Sequence, residues 1–115
     1  IIELNMEIIK EKINREYLRQ HMLNDELVKC VVDCDLEIMA AGGQMHADEE
    51  QLLLENGSKQ ENLWGINLYL DDKSENWIEF DSMINIRPIQ GNRSRSVEDQ
   101  SMQNRIKEIV FKLVN

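Results

Sequence analysis

The sequence predicts an α+β fold, a mostly antiparallel sheet of about five strands with two or three helices packed on one face. Three observations predict it. Trp64–Leu70 and Trp77–Arg87 alternate apolar and polar residues with the period of two that belongs to strands. The polar loop Asp71-Asp72-Lys73-Ser74-Glu75-Asn76 between them returns the chain antiparallel. Met102, Ile106, Ile109, Val110 and Leu113 recur at three- and four-residue steps, the single apolar stripe of an amphipathic helix over Val97–Val114.

Each remaining element has its own local reason. Glu7–Ile13 reads as a short strand, with Ile9 and Ile13 on one face and Ile8 on the other. Asn14 suits the N-cap of a helix over Arg15–Leu23, with Glu16 in its first turn favoured by the helix dipole. Leu27–Asp33 and Leu36–Ala41 form a hairpin around Asp33-Cys34-Asp35, and Gly42-Gly43 ends it. Residues 47–56 are either a helix with acids in its first turn or a strand entering the Asn56-Gly57 turn. Helical propensity favours the helix. Ser96 with Asp99 imitates a capping box at the start of the last helix. The resulting order, strand, helix, hairpin, helix, hairpin, helix, is that of α+β proteins. Period-two parity gives the sheet a second face carrying Asn67, Tyr69, Glu79, Asp81, Asn85 and Arg87. That face is too polar for core and is open to solvent, a partner or a ligand.

A chain of 115 residues fits one domain, with residues 1–5 set apart as a non-native or disordered start before Met6. No apolar run approaches the roughly 20 residues of a membrane helix, and the start lacks a signal-peptide pattern, so a cytoplasmic setting is expected. Acids outnumber bases 22 to 13, which argues against general affinity for nucleic acid. Cys30 and Cys34 are too few for a disulfide framework and read as reduced thiols. With His21 and His46 they match no standard zinc spacing, and no cofactor is implied.

The positive charge is concentrated. Arg87, Arg93 and Arg95 lie within ten residues that hold no acid, in a chain of net charge −9. Removing those three charges leaves −12 on the rest. Gly91 lets the backbone bend, and Gln90, Asn92, Arg93, Ser94 and Ser96 add hydrogen-bonding groups ahead of a helix. The functional reading is a pocket for a small phosphate- or carboxylate-bearing ligand, formed by Arg87, Gln90, Asn92, Arg93 and Ser94 with Asn85, Tyr69 and Asn67 of the polar face. The plainer reading is that Ser96 caps a helix, Gly91 makes a turn and the arginines pair with nearby acids.

His46-Ala47-Asp48-Glu49-Glu50 is the second candidate. His46 with Glu49 or Glu50 could pair for acid–base chemistry or hold a divalent ion, against the plainer reading of an acidic helix start. Trp64 and Trp77 read mainly as sheet-packing residues. No nucleophile elbow, His-Glu-x-x-His or phosphate-binding glycine loop is present, so no enzyme class is named. An alternative to ligand binding is a protein-interaction module or homodimer that buries the same polar face.

Gly43-Gln44-Met45-His46-Ala47-Asp48-Glu49-Glu50, Leu63-Trp64-Gly65-Ile66-Asn67-Leu68-Tyr69 and Asn85-Ile86-Arg87-Pro88-Ile89-Gln90-Gly91-Asn92-Arg93-Ser94 carry a family likeness, as does Leu54-Glu55-Asn56-Gly57-Ser58-Lys59-Gln60. On these segments the chain resembles a family of small prokaryotic proteins catalogued as a domain of unknown function. Leu70 departs from the proline expected after the tyrosine. The resemblance implies a compact prokaryotic protein and transfers no catalytic residues.

Overall fold

The computed structural model describes residues 6–22 and 26–115. The strands among them are β1 (Glu7–Ile9), β2 (Val28–Asp33), β3 (Ile38–Ala41), β4 (Leu63–Leu68) and β5 (Ile78–Glu79). The helices are α1 (Arg15–Leu18), α2 (His46–Glu55) and α3 (Gln100–Leu113). The strands form one sheet in the order β1-β3-β2-β4-β5, every neighbouring pair antiparallel. The fold is α+β, as the sequence predicts.

Strand alternation divides the core in two. Cys30, Val32, Ile66 and Leu68 point to a face where Ile106, Ile109, Val110 and Leu113 of α3 and Leu18 of α1 meet them, all buried. Val31, Ala40 and Leu63 point the other way and pack with Leu53 of α2. Two helices therefore share one face of the sheet, and α2 covers part of the other. The β4–β5 part of that second face stays uncovered by a helix, because Asn67, Tyr69 and Glu79 offer α2 no apolar surface.

Hydrogen-bonding side chains set the boundaries. Asp33 closes the β2–β3 turn, its Oδ1 accepting the amides of Asp35 at 2.8 Å and Leu36 at 2.9 Å. Ser58 donates to Oδ2 of Asp33 at 2.6 Å, which ties the end of α2 to the same turn. Asn14 caps α1 as expected, accepting from the Tyr17 amide at 2.7 Å. The helix then tightens into a 3-10 turn over Arg19–His21, and its expected end at Leu23 lies outside the described residues. Residues 47–56 take the helical alternative.

Four expectations are corrected. β1 stops at Ile9. Ile13 instead bridges in parallel to Val114, with Ile13 N–H donating to Leu113 O and Asn115 N–H to Ile13 O, both at 2.8 Å. β4 ends at Leu68 rather than Leu70, where the chain turns. The expected strand over Trp77–Arg87 shrinks to Ile78–Glu79. Ser82 accepts from the Ile84 amide and bends the chain into a 3-10 turn over Met83–Asn85, and Pro88 opens another over Pro88–Gln90. α3 starts at Gln100 with Asp99 as its cap, accepting from Ser101 N–H at 3.0 Å. Ser96 lies three residues ahead of that cap, in the loop where its carbonyl accepts from the Asn92 side chain at 2.7 Å.

Candidate functional site

The open part of the second sheet face forms a cleft of about 430 Å³ beside the N-terminus of α2. Its floor is a cross-strand row. Lys29 of β2 pairs with Asn67 of β4, and Asn67 pairs with Glu79 of β5, so the three side chains share one face. Asn67 is 4% exposed and donates through Nδ2 to Glu79 Oε1 at 2.9 Å and to the Asp81 carbonyl at 3.2 Å. Its Oδ1 is buried without a close hydrogen-bond partner, and the Asn67 side chain interacts with the His46 ring, opposing the fall in its pKa. Tyr69 donates to the same Glu79 oxygen at 3.1 Å. Burial, then the hydrogen bond and charge of Glu79, raises the Tyr69 phenol above its ordinary value. Arg95 pairs with Asp81 at 2.6 Å on the rim.

His46 stands where α2 begins. Its Nε2 donates to the Ile66 carbonyl at 2.8 Å, which leaves Nδ1 as the acceptor of the neutral ring. Burial lowers its pKa, with the Lys29 charge acting in the same direction and the Ile66 carbonyl opposing both. The ring is therefore neutral at pH 7 and able to accept a proton. Its position depends on Gly65. A Cβ on Gly65 would lie 2.6 Å from Cβ and Oγ of Ser82 and 3.2 Å from Cδ2 of His46. The bare glycine lets β4, the Ser82 turn and His46 close together. Met45, a residue with no capping oxygen, occupies the N-cap of α2.

The structure brings Asn67, Tyr69 and His46 of the expected residues into this cleft. It gives the others different surroundings. Arg87 donates to the carbonyls of Gln60 and Leu63 and lies 4.1 Å over the Trp64 ring. Burial lowers its pKa. Gln90 donates to the Glu61 carbonyl at 3.0 Å. Asn85 and Asn92 are buried and hold backbone. The Asn85 amide meets N–H and C=O of Gly65 at 2.8 and 3.0 Å, and Asn92 donates to the carbonyls of Asn85, Ser94 and Ser96.

The loop amides expected to receive an external anion already hold an internal one. Arg93 N–H and Ser94 N–H donate to Oε2 of Glu98 at 3.0 and 2.8 Å. The Ser94 hydrogen bond lowers the Glu98 pKa. Glu50 accepts from Gln60 at 3.5 Å and interacts electrostatically with Arg87 rather than partnering His46. Glu49 is buried and accepts from the Gly43 amide at 2.9 Å. The acid whose charge acts on His46 is Asp81.

Lys29 entered the site without being singled out, and Arg95 had been named only as part of the positive stretch. Lys29 is the one polar interruption in the run Val28–Val32, and that interruption was its sequence signal. Burial raises the Cys30 thiol, and burial also pushes Cys34 up to about 12, so both are poor nucleophiles at neutral pH. Among the described residues no group of three or more His, Cys, Asp and Glu is placed to hold a metal ion, and no helix is long and apolar enough to cross a membrane. A family model described as "Protein of unknown function (DUF5674)" matches residues 7–113. No curated protein and no solved structure matches the chain.

Proposed function

Because the chain belongs to the DUF5674 family, whose description assigns no activity, we propose a function from the cleft itself: binding of a small polar molecule that bears a carboxylate or phosphate. The observation that carries this reading is the buried Oδ1 of Asn67, which has no close hydrogen-bond partner and lies beside His46 at the floor of a cleft bordered by Lys29 and the first turn of α2. A buried amide oxygen left without a donor costs about 1–3 kcal/mol. A ligand donor would recover that, while its anionic group sits near Lys29 and the amides at the helix start. His46, neutral and half-committed to Ile66, is the candidate proton acceptor if chemistry follows binding. Arg87, Gln90, Asn85 and Asn92 lie outside the cleft lining and are committed to backbone groups of the chain.

Thermal shift with a panel of carboxylates and phosphates tests the reading on wild type, Lys29→Met and Arg93→Ala. A ligand at about 100 times its Kd adds about 2.7 kcal/mol, a readily visible shift. The expected result is a shift that Lys29→Met abolishes and Arg93→Ala preserves. The reverse pattern would place the anion at the Arg93 loop, displacing Glu98.

A second reading, a partner or homodimer contact on the same face, is favoured by Met45 and Met83. These rim the cleft at 60% and 63% exposure. Met is enriched in interface cores. A strict monomer in sedimentation at high concentration, with the cleft binding small molecules, would remove the homodimer.

A further inference from the structure

We infer that the cleft is built for a zwitterion, a molecule carrying an ammonium group as well as its carboxylate or phosphate; the inference rests on the binding reading above. The row Lys29–Asn67–Glu79 spans two strand spacings, roughly 10 Å between the outer backbones. It places opposite charges at its two ends. Lys29 makes one end positive, beside the start of α2. Glu79 makes the other negative, and Glu26 and Asp81 add to the field there, since all three carboxylates act on the Tyr69 hydroxyl.

Arg95 offsets part of this negative end, through its ion pair with Asp81 and through a longer-range attraction to Glu79. Glu79 accepts two hydrogen bonds at Oε1, from Asn67 and Tyr69, both neutral donors. A carboxylate so held is oriented but not neutralised. Between the two ends lies Asn67 Oδ1, an acceptor without a close donor. Asn67 Oδ1 and the Glu79 carboxylate are therefore the acceptors that a ligand N–H or O–H would meet. An ammonium group supplies three donors and the compensating charge together. The four charged side chains of the cleft, Lys29, Glu79, Asp81 and Arg95, sum to zero. A guest of net zero charge is the one that leaves this balance undisturbed.

Amide NMR titrations of wild type, Glu79→Gln and Lys29→Met test this with ω-amino acids from glycine to 6-aminohexanoate. The controls are straight-chain carboxylates and alkylamines of matching length. At least one ω-amino acid is expected to shift the resonances of Lys29, Asn67 and Glu79. It should bind about tenfold or more tightly than its carboxylate, the effect of one charge-assisted hydrogen bond. Glu79→Gln should erase that advantage, so that the straight-chain carboxylates bind at least as tightly as the amino acids. Carboxylates binding wild type as tightly as the amino acids, or a Glu79→Gln variant that keeps the preference, would overturn the zwitterion while sparing the cleft. Absence of cleft shifts with every probe would overturn both.

Discussion

The side-chain amide of Asn85 meets N–H and C=O of Gly65, two groups that the backbone of a neighbouring strand would otherwise satisfy. Its Nδ2 also donates to the Arg95 carbonyl at 3.0 Å. Asn85→Asp keeps the shape and removes both donor protons, leaving two buried carbonyls facing a carboxylate. A loss of about 2–4 kcal/mol in urea denaturation is expected. Asn85 was legible in the sequence as a polar residue on the strand parity of the second face, but not as a backbone surrogate. Period-two parity cannot tell an amide that awaits a ligand from one already committed to its own chain. Gly65→Ala should cost about 1–3 kcal/mol, because its Cβ meets the fixed Cβ of Ser82 rather than a flexible side-chain end. The same substitution should move the His46 ring resonances, which NMR would read directly.

Elements whose signal is periodic were legible, and those governed by single polar contacts were not. The stripe of α3 could be read because Ile106, Ile109, Val110 and Leu113 all face one core. The length of β5 could not be read, because the Ser82 hydroxyl and Pro88 turn the chain while Ile84 and Ile86 keep a strand-like alternation. The surroundings of Arg87 were hidden for a related reason. Its sequence neighbours suggest a free cation, whereas two carbonyls and the Trp64 ring enclose it. At α2 the weak point is Met45. Met45→Asp supplies the missing N-cap oxygen and should stabilise the protein by about 1 kcal/mol, seen as a raised Tm. A carboxylate there would also compete with an anionic ligand at the helix start, so tighter folding should accompany weaker binding.

For the whole molecule, acid should act in two stages. His46 has a folded pKa below its ordinary 6.5, so between those values the unfolded chain binds more protons and stability falls as pH drops. Glu37, held by Lys112 and Arg105 of α3, is lowered from 4.5 to about 2, and stability falls again across that range. Above pH 7 both contributions are fully present. Urea midpoints measured from pH 8 to pH 3 should show both declines, with His46→Gln flattening the upper one and Glu37→Gln the lower. Glu37 also sits at φ 58°, a left-handed conformation that glycine adopts more easily. Its charges thus hold the β2–β3 turn to α3 against a local backbone cost.

The sheet ends in very short margins, with β1 three residues long on one side and β5 two residues long on the other. Beyond β5, the Asn85 amide occupies the hydrogen-bonding groups of Gly65 that would otherwise lie open. Among the described residues, a foreign strand looking for a template finds only these short margins. The molecule should therefore resist fibril growth at concentrations where longer bare margins would seed it. Any protein partner would have to be recognised through side chains instead of through backbone pairing.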